Sequence, residues 1–276
     1  MRAVVELLQP SSLDELPSDG LFLAGGTEVV PQLRDGLVSA GVLVDVTGLV
    51  PRGVDGTRIG AGTTLAELER DERVPGALRD AARLAASPQL RNMSSLGGNL
   101  LQATRCWYWR LRFPCRLHGG DRCHARDGEH REHAIFANHF CASAHPSDLA
   151  AALLALGATL QTTRRELPIG ELYRLPSEDD RRTTTLEPGE LVLELDVPPA
   201  DASVYLKAMD RKLFSFPLVG VAAARRGGET AVALAGVAPI PWRLEGSLDD
   251  ATPLPATAYK VELARSLVEQ ALAALE

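Results

Sequence analysis

The chain has 276 residues, 45% of them hydrophobic, which is enough to bury a core as one large or two modest domains and excludes a disordered chain. Its net charge of −7, from 36 acidic and 29 basic residues, argues against a bulk nucleic-acid binder. No apolar run reaches the roughly eighteen residues of a membrane span, and the short N-terminal run broken by Glu6 and Pro10 makes no signal sequence; a cytoplasmic location is the expectation.

Residues 21–30, LFLAGGTEVV, read as a short buried strand, a Gly-Gly turn and a helix start, with Thr27 as N-cap and Glu28 suited to the positive helix end. Strands follow over 42–47 and 57–61, then a helix capped by Thr63 or Thr64. The segment PGALRDAARLAAS predicts a longer helix, apolar at Leu78, Ala82 and Ala85 and ended by Pro88. SDLAAALLALGATL predicts a helix closed at Gly157 and then a strand. Residues 161–190 are polar and read as a connection between two domains. From Leu191 the pattern changes. ELVLELDVP, VYLKAM, FPLVGVAAARR and TAVALAGVAP read as strands, and YKVELARSLVEQALAAL as a closing helix. The fold class expected is α+β: a two-subdomain α/β region over 1–165 and a C-terminal α+β domain over 166–276.

All four cysteines and all six histidines lie between Cys106 and His145. Four thiols is the number that a tetrahedral zinc or a cubane iron–sulfur cluster needs. The spacing of Cys106, Cys115, Cys123 and Cys141 is C-x8-C-x7-C-x17-C. It is not ferredoxin spacing and has no CxxC pair, so cluster, zinc site and free or disulfide-bonded thiols all stay open on the residues alone. Solvated loop positions are expected for His118, His124, His130 and His133, while His145 sits beside Pro146 and Asp148. Trp107, Tyr108 and Trp109 read as packing that shields the loop from water.

Two turns share a Gly-Gly-polar form, Gly25-Gly26-Thr27 and Gly97-Gly98-Asn99. Adjacent glycines let a ligand approach the backbone, and successive free N–H groups bind anions, so the pair can clamp a pyrophosphate. Neither turn is GxGxxG, and no Rossmann site is indicated.

On these residues the chain resembles the flavin-binding medium subunits of molybdenum hydroxylases, a family that includes the FAD parts of xanthine dehydrogenase, carbon monoxide dehydrogenase, aldehyde oxidoreductases and 4-hydroxybenzoyl-CoA reductase. AGGTEVVPQLRDG resembles the family's first pyrophosphate motif, SPQLRNMSSLGGNL its second, and HPSDLAAALLALGA the segment whose Asp contacts the flavin nucleotide. The resemblance extends through YLKAMDRKLFSFPLVGVAAA to the closing helix and covers nearly the whole chain. It implies that Ala24, Gly25, Gly26, Thr27 and Glu28 hold FAD together with Ser95, Gly97, Gly98 and Asn99. It also implies that Asp148 bonds flavin hydroxyls and that Lys207 lies near the flavin ring, where reduction deposits negative charge.

The resemblance also assigns the cysteine window. Most family members run directly from the second glycine motif to the Ser-Asp segment, whereas 105–143 is inserted here. Similar insertions in 4-hydroxybenzoyl-CoA reductase and some bacterial aldehyde oxidoreductases hold a [4Fe-4S] cluster, which implies Cys106, Cys115, Cys123 and Cys141 as ligands. The seven arginines from Arg105 to Arg131 are then expected to offset the cluster's charge and bond its sulfurs. The implied function is FAD-binding electron transfer beside a molybdenum cofactor large subunit and a [2Fe-2S] small subunit. The alternative is a stand-alone FAD/[4Fe-4S] oxidoreductase. The segment between Trp242-Arg243 and Tyr259 is shorter than the family pattern.

Overall fold

A computed structural model of the chain describes residues 6–276. The N-terminal part opens with β1 (Glu6–Leu8), β2 (Leu21–Leu23), α1 (Val29–Arg34) and β3 (Val42–Asp45). The three strands form a parallel sheet in the order β1-β3-β2, sealed by Val44, Val46 and Leu191. Short β4 (Val54–Asp55) and β5 (Arg58–Gly60) lead into α2 (Leu65–Arg70). Thr64 caps α2 in a reciprocal capping box with Glu67.

Helix α3 (Gly76–Ala85) buries Ala77, Leu78, Ala81 and Ala82, the face its periodicity predicts. It ends three residues before Pro88. That proline does not stop α3; it opens α4 (Pro88–Met93), with Ser87 as cap. Proline is favoured at the first helical position, where its missing N–H has no partner to lose. The second glycine motif is likewise helical: Ser95 caps α5 (Leu96–Leu100) by accepting from Gly98 N–H at 3.2 Å. The cysteine window holds one short helix, α6 (Trp107–Arg110).

Helix α7 (Asp148–Leu156) begins at Ser147, ends on left-handed Gly157 and has all nine residues buried. An apolar surface all round suits a helix covered on every side. It shares one core with α2, α3, β6 (Thr159–Thr162) and β8 (Val192–Asp196), and with Ala222, Ala224, Ala233 and Ala235 of the C-terminal sheet. The stretch expected to be a connection instead contributes β7 (Glu166–Pro168) and buries Leu167, Ile169, Leu172 and Tyr173. β8 does not start a new domain: it is hydrogen-bonded between β5 and β6 in a sheet ordered β4-β5-β8-β6-β7. The division expected at residue 165 therefore falls inside one sheet.

The remaining strands, β9 (Ala202–Ala208), β10 (Val219–Arg226), β11 (Glu229–Ala235) and β12 (Trp242–Arg243), form an antiparallel sheet in the order β12-β11-β10-β9. Along β10 the faces alternate. Ala222 and Ala224 join the core with α3 and α7, while Val219, Val221 and Ala223 join a second core under α8 (Tyr259–Ala273). The layers run five-stranded sheet, helices, four-stranded sheet, α8. Among the described residues no helix is long and apolar enough to cross a membrane.

The window is built into these layers. Ile135 and Phe136 belong to the α8 core, both donating N–H groups to Val237 O, and Phe136 stacks on Trp242 at 5.0 Å. Lys260 of α8 is fully buried, and its Nζ bonds Glu132 O at 2.8 Å and Gly236 O at 2.9 Å. These contacts fasten the cysteine window to the C-terminal sheet and α8.

Candidate functional site

The two glycine motifs meet. A Cβ on Gly25 would lie 1.6 Å from Met93 O, so only glycine lets the first turn approach the end of α4. Beside that contact Thr27 Oγ1 lies 3.0 Å from Ser94 Oγ. Thr27 is thus a bridge between the motifs rather than the cap of α1, whose N-cap is Glu28. Gly26 is left-handed at φ 72°. Among the described residues, the N–H groups of Gly25, Gly26, Thr27 and Glu28 donate to no protein acceptor. Four successive free donors form a nest for an anion such as a pyrophosphate. Ala24 packs half-buried against the Val44 cluster and fixes the start of the turn.

On the second side, Gly97 sits where a Cβ would press on Ala61 Cβ at 3.1 Å, and Gly98 where it would meet Ser95 Oγ at 2.9 Å. Asn99 Oδ1 accepts from Ser147 Oγ at 2.6 Å, so the second motif is tied to the start of α7. The free N–H groups expected of both turns occur only in the first: the N–H groups of Gly97, Gly98 and Asn99 are taken by Ala61 O, Ser95 Oγ and Ser95 O. The residues still fit an FAD pyrophosphate, with backbone donors on one side, hydroxyl and amide groups on the other, and the nearby Glu28 carboxylate engaged elsewhere.

Glu28 keeps that last condition. Its carboxylate is taken by Arg105 and Arg110, each at 2.6 Å, and by Ala103 N–H at 3.2 Å. Burial opposes the charge, but the two guanidiniums overcome it and hold the carboxyl below its usual range. Glu28 therefore fastens the cysteine window to the first motif instead of presenting itself to a ligand. Sequence reading missed this pair because the partners are 77 and 82 positions away.

Asp148 and Lys207 also differ from expectation. Their side chains are 1% and 0% exposed and form an ion pair at 2.8 Å. Asp148 further accepts from Tyr205 OH, and Lys207 bonds Leu84 O at 2.9 Å. Burial pushes the Asp148 carboxyl up, against the ammonium and the two hydrogen bonds that favour its charge. The pair clamps α7 to β9 and to the end of α3, and neither group opens onto the glycine turns.

The four cysteines are free thiols that line one small cleft with Tyr108, Trp109, His124 and Ser143. The N–H groups of Tyr108 and Trp109 face Cys106 Sγ. Those of Ala142, Ala125 and Arg126 face Cys123 Sγ, and that of Ser143 faces Cys141 Sγ. Cys123 and Cys141 share a hydrogen bond that lowers the first and raises the second, while burial pushes Cys106 up to about 11. Among the described residues no three Cys, His, Asp or Glu side chains close on a single metal ion.

Five of the seven arginines are engaged by oxygen acceptors of the protein. Arg105 and Arg110 hold Glu28, Arg116 and Arg126 bond the carbonyls of residues 138–140, and Arg131 pairs with Asp210. Among the described residues none bonds a sulfur. The aromatic run is half-buried: Trp109 stacks on His118 at 5.3 Å and Tyr108 meets Phe113 edge-on at 5.3 Å. His133, expected in solvent, is buried, with Nε2 at 3.2 Å from Cys106 Sγ.

His145 is buried too, edge-on to Tyr173 at 4.8 Å, and accepts from Ser147 N–H at 3.4 Å. Burial lowers it to about 3. Below about pH 6.5 the unfolded chain takes up a proton there that the folded chain refuses until about pH 3. Stability is therefore lost as pH falls through this window, by about 1.4 kcal/mol per pH unit for this residue. Denaturant unfolding of wild type and His145→Phe at several pH values should show the slope reduced by one proton in the variant. Equal slopes refute the assignment.

Known proteins bear directly on this geometry. The family described as the FAD-binding domain in molybdopterin dehydrogenase matches residues 4–200, which span both glycine motifs and Asp148. The chain belongs to this family. It is 36% identical over 248 residues, 82% of its length and 77% of the relative's, to the aldehyde oxidoreductase FAD-binding subunit PaoB of Escherichia coli strain K12. The fold matches carbon monoxide dehydrogenase from Hydrogenophaga pseudoflava, with a TM-score of 0.71 at 22% identity over 100% of this chain and 98% of that one. It also matches quinoline 2-oxidoreductase from Pseudomonas putida 86, with a TM-score of 0.69 at 18% identity over 100% and 98% of the two chains. The α+β fold and the FAD-binding oxidoreductase class expected from the motifs are thus borne out.

Proposed function

We propose that the chain is the FAD-binding electron-transfer subunit of a molybdenum-containing oxidoreductase and that Cys106, Cys115, Cys123 and Cys141 hold a [4Fe-4S] cluster. Its partners are a large subunit carrying the molybdenum cofactor, which acts on the organic substrate, and a small [2Fe-2S] subunit. Electrons pass between the partner's clusters and an external carrier. Kinship to a relative that is itself an FAD-binding subunit supports the assembly. FAD, when bound, supplies a centre that exchanges one or two electrons. Residues 24–27 and 95–99 bind and orient its pyrophosphate, and Glu28 is held away from it by the two arginines.

The single observation that carries the cluster is the convergence of four cysteines, 35 positions apart in sequence from first to last, on one lined cavity. A cubane spreads its four ligand sulfurs wider than a single ion does. The N–H groups aimed at three of the sulfurs suit thiolates, whose negative charge they stabilise.

Anaerobic purification with iron, sulfide and flavin analysis tests the reading. About four iron and one flavin per chain are expected, with larger subunits co-purifying. Cys106→Ser should lose most of the iron and keep the flavin, because the pyrophosphate turns lie outside the cysteine cavity. A colourless protein overturns the FAD assignment. A yellow protein free of iron overturns the cluster alone. A homodimer that turns over a small molecule without partners favours a stand-alone oxidoreductase.

A further inference from the structure

The contact between His133 and Cys106 has the features of a built interaction. The ring is 3% exposed, and Trp107 packs edge-on against it at 5.1 Å. The backbone is pinned on both sides: His133 N–H bonds His130 O at 2.9 Å, and the carbonyl of neighbouring Glu132 accepts from buried Lys260. Nε2 lies 3.2 Å from Cys106 Sγ, while Nδ1 is buried without a hydrogen-bond partner among the described residues. A neutral imidazole carries one N–H. With no acceptor at Nδ1, and with a ligand sulfur that has no proton of its own to give, the only hydrogen bond available is Nε2–H to sulfur.

We propose that His133 is a positioning residue for Cys106, donating Nε2–H to its sulfur and raising the reduction potential of the cluster. The inference rests on the cluster reading above. Reduction adds negative charge to a centre that is already anionic, and a donor at a ligand sulfur favours the more negative state. The backbone N–H groups of Tyr108 and Trp109 already face this sulfur, and among the described residues His133 adds the side-chain donor beside them. Cys106 is also the cysteine where such tuning matters most. It lines the cysteine cleft and, on its other side, a cavity of about 50 Å³ bordered by Arg105, His145, Pro146 and Phe216. That second cavity lies beside Ser147, which bonds Asn99 of the second glycine motif. The tuned sulfur therefore stands between the cluster and the region where FAD binds.

The test is a redox titration of the anaerobic complex followed by electron paramagnetic resonance, on wild type, His133→Phe and His133→Gln, each with its iron counted. His133→Phe fills the same buried space without a donor. It should keep its iron and shift the cluster's reduction equilibrium about tenfold toward the oxidised form, 59 mV for a one-electron couple. His133→Gln keeps an N–H and should recover more than half of that shift. An unchanged equilibrium in His133→Phe overturns the inference and leaves the cluster intact. So do equal shifts in the two variants, or loss of iron from both while they remain folded, which would make the residue merely structural. Wild type without iron instead overturns the cluster reading itself.

Discussion

Gly25→Ala should cost the protein its flavin. The new methyl would lie 1.6 Å from Met93 O and 2.6 Å from Met93 C, both backbone atoms that no rotamer change can clear. The turn at 25–28 or the segment at 93–95 must move, and these two segments carry the facing halves of the proposed pyrophosphate clamp. Forcing a methyl into a packed contact costs about 1–3 kcal/mol. Where that strain falls on the binding-competent geometry it weakens FAD by roughly ten- to a hundredfold. Equilibrium dialysis against FAD measures this directly. Gly41→Ala serves as the control, because nothing lies within 4 Å of its added methyl. The expected result is flavin loss in the first variant with occupancy retained in the second. Undiminished FAD affinity in Gly25→Ala would mean that the two motifs do not act as one clamp.

The same contact shows what was legible in the sequence. The Gly-Gly pairs were read as letting a ligand approach the backbone, and at Gly25 the structure brings up another segment of the chain itself. That approach is to Met93, which no local signal names. Elements with their own punctuation were readable: α7 with Ser147 before it and Gly157 after it, α2 with Thr64 and Glu67, and β10 with its alternating faces. Pro88 carried its signal as well. Ser-Pro is a cap followed by the first helical position, and reading the proline only as a terminator hid α4. Partnership was the harder part. β8 is plainly a strand in sequence, but its pairing with β5 and β6 depends on chain folded far away. The run 161–190 looks polar because its outward residues are; Leu167, Ile169, Leu172 and Tyr173 point inward.

Within the candidate site the division is similar. The gathering of four cysteines within one window was visible, and they do line one cavity. Which histidine touches a sulfur was not. His133 is distinguished from His130 only by burial under Trp107 and by the anchoring of Glu132 to Lys260. Glu28 looked like a helix-start acid, and its position just before α1 is right. Its two arginine partners come from the insertion, so a local reading could not assign the charge. Arg105 stands immediately before Cys106, which in hindsight is where a link between cluster loop and flavin motif would be placed.

Removing one partner of the Asp148–Lys207 pair should be the most damaging change to folding. Two charges with 1% and 0% exposure attract strongly because solvent is absent, and the survivor of a deletion has nowhere to hydrate. Lys207→Met leaves the carboxylate with Tyr205 alone, and Asp148→Leu leaves the ammonium with Leu84 O alone. Each is expected to cost about 3–5 kcal/mol in denaturant unfolding of the FAD-free protein. The double variant removes both charges and should recover most of that loss, since a buried pair is often no better than apolar groups of similar volume. The cycle also separates two roles for these residues. If they clamp α7 to β9 and α3, the penalty appears without flavin and FAD affinity falls only as the fold does. If they instead contact flavin hydroxyls and ring, the FAD-free proteins stay near wild type in stability while FAD affinity drops in each single variant. The ion pair in the structure predicts the first pattern, because both side chains are already satisfied by groups of the fold itself.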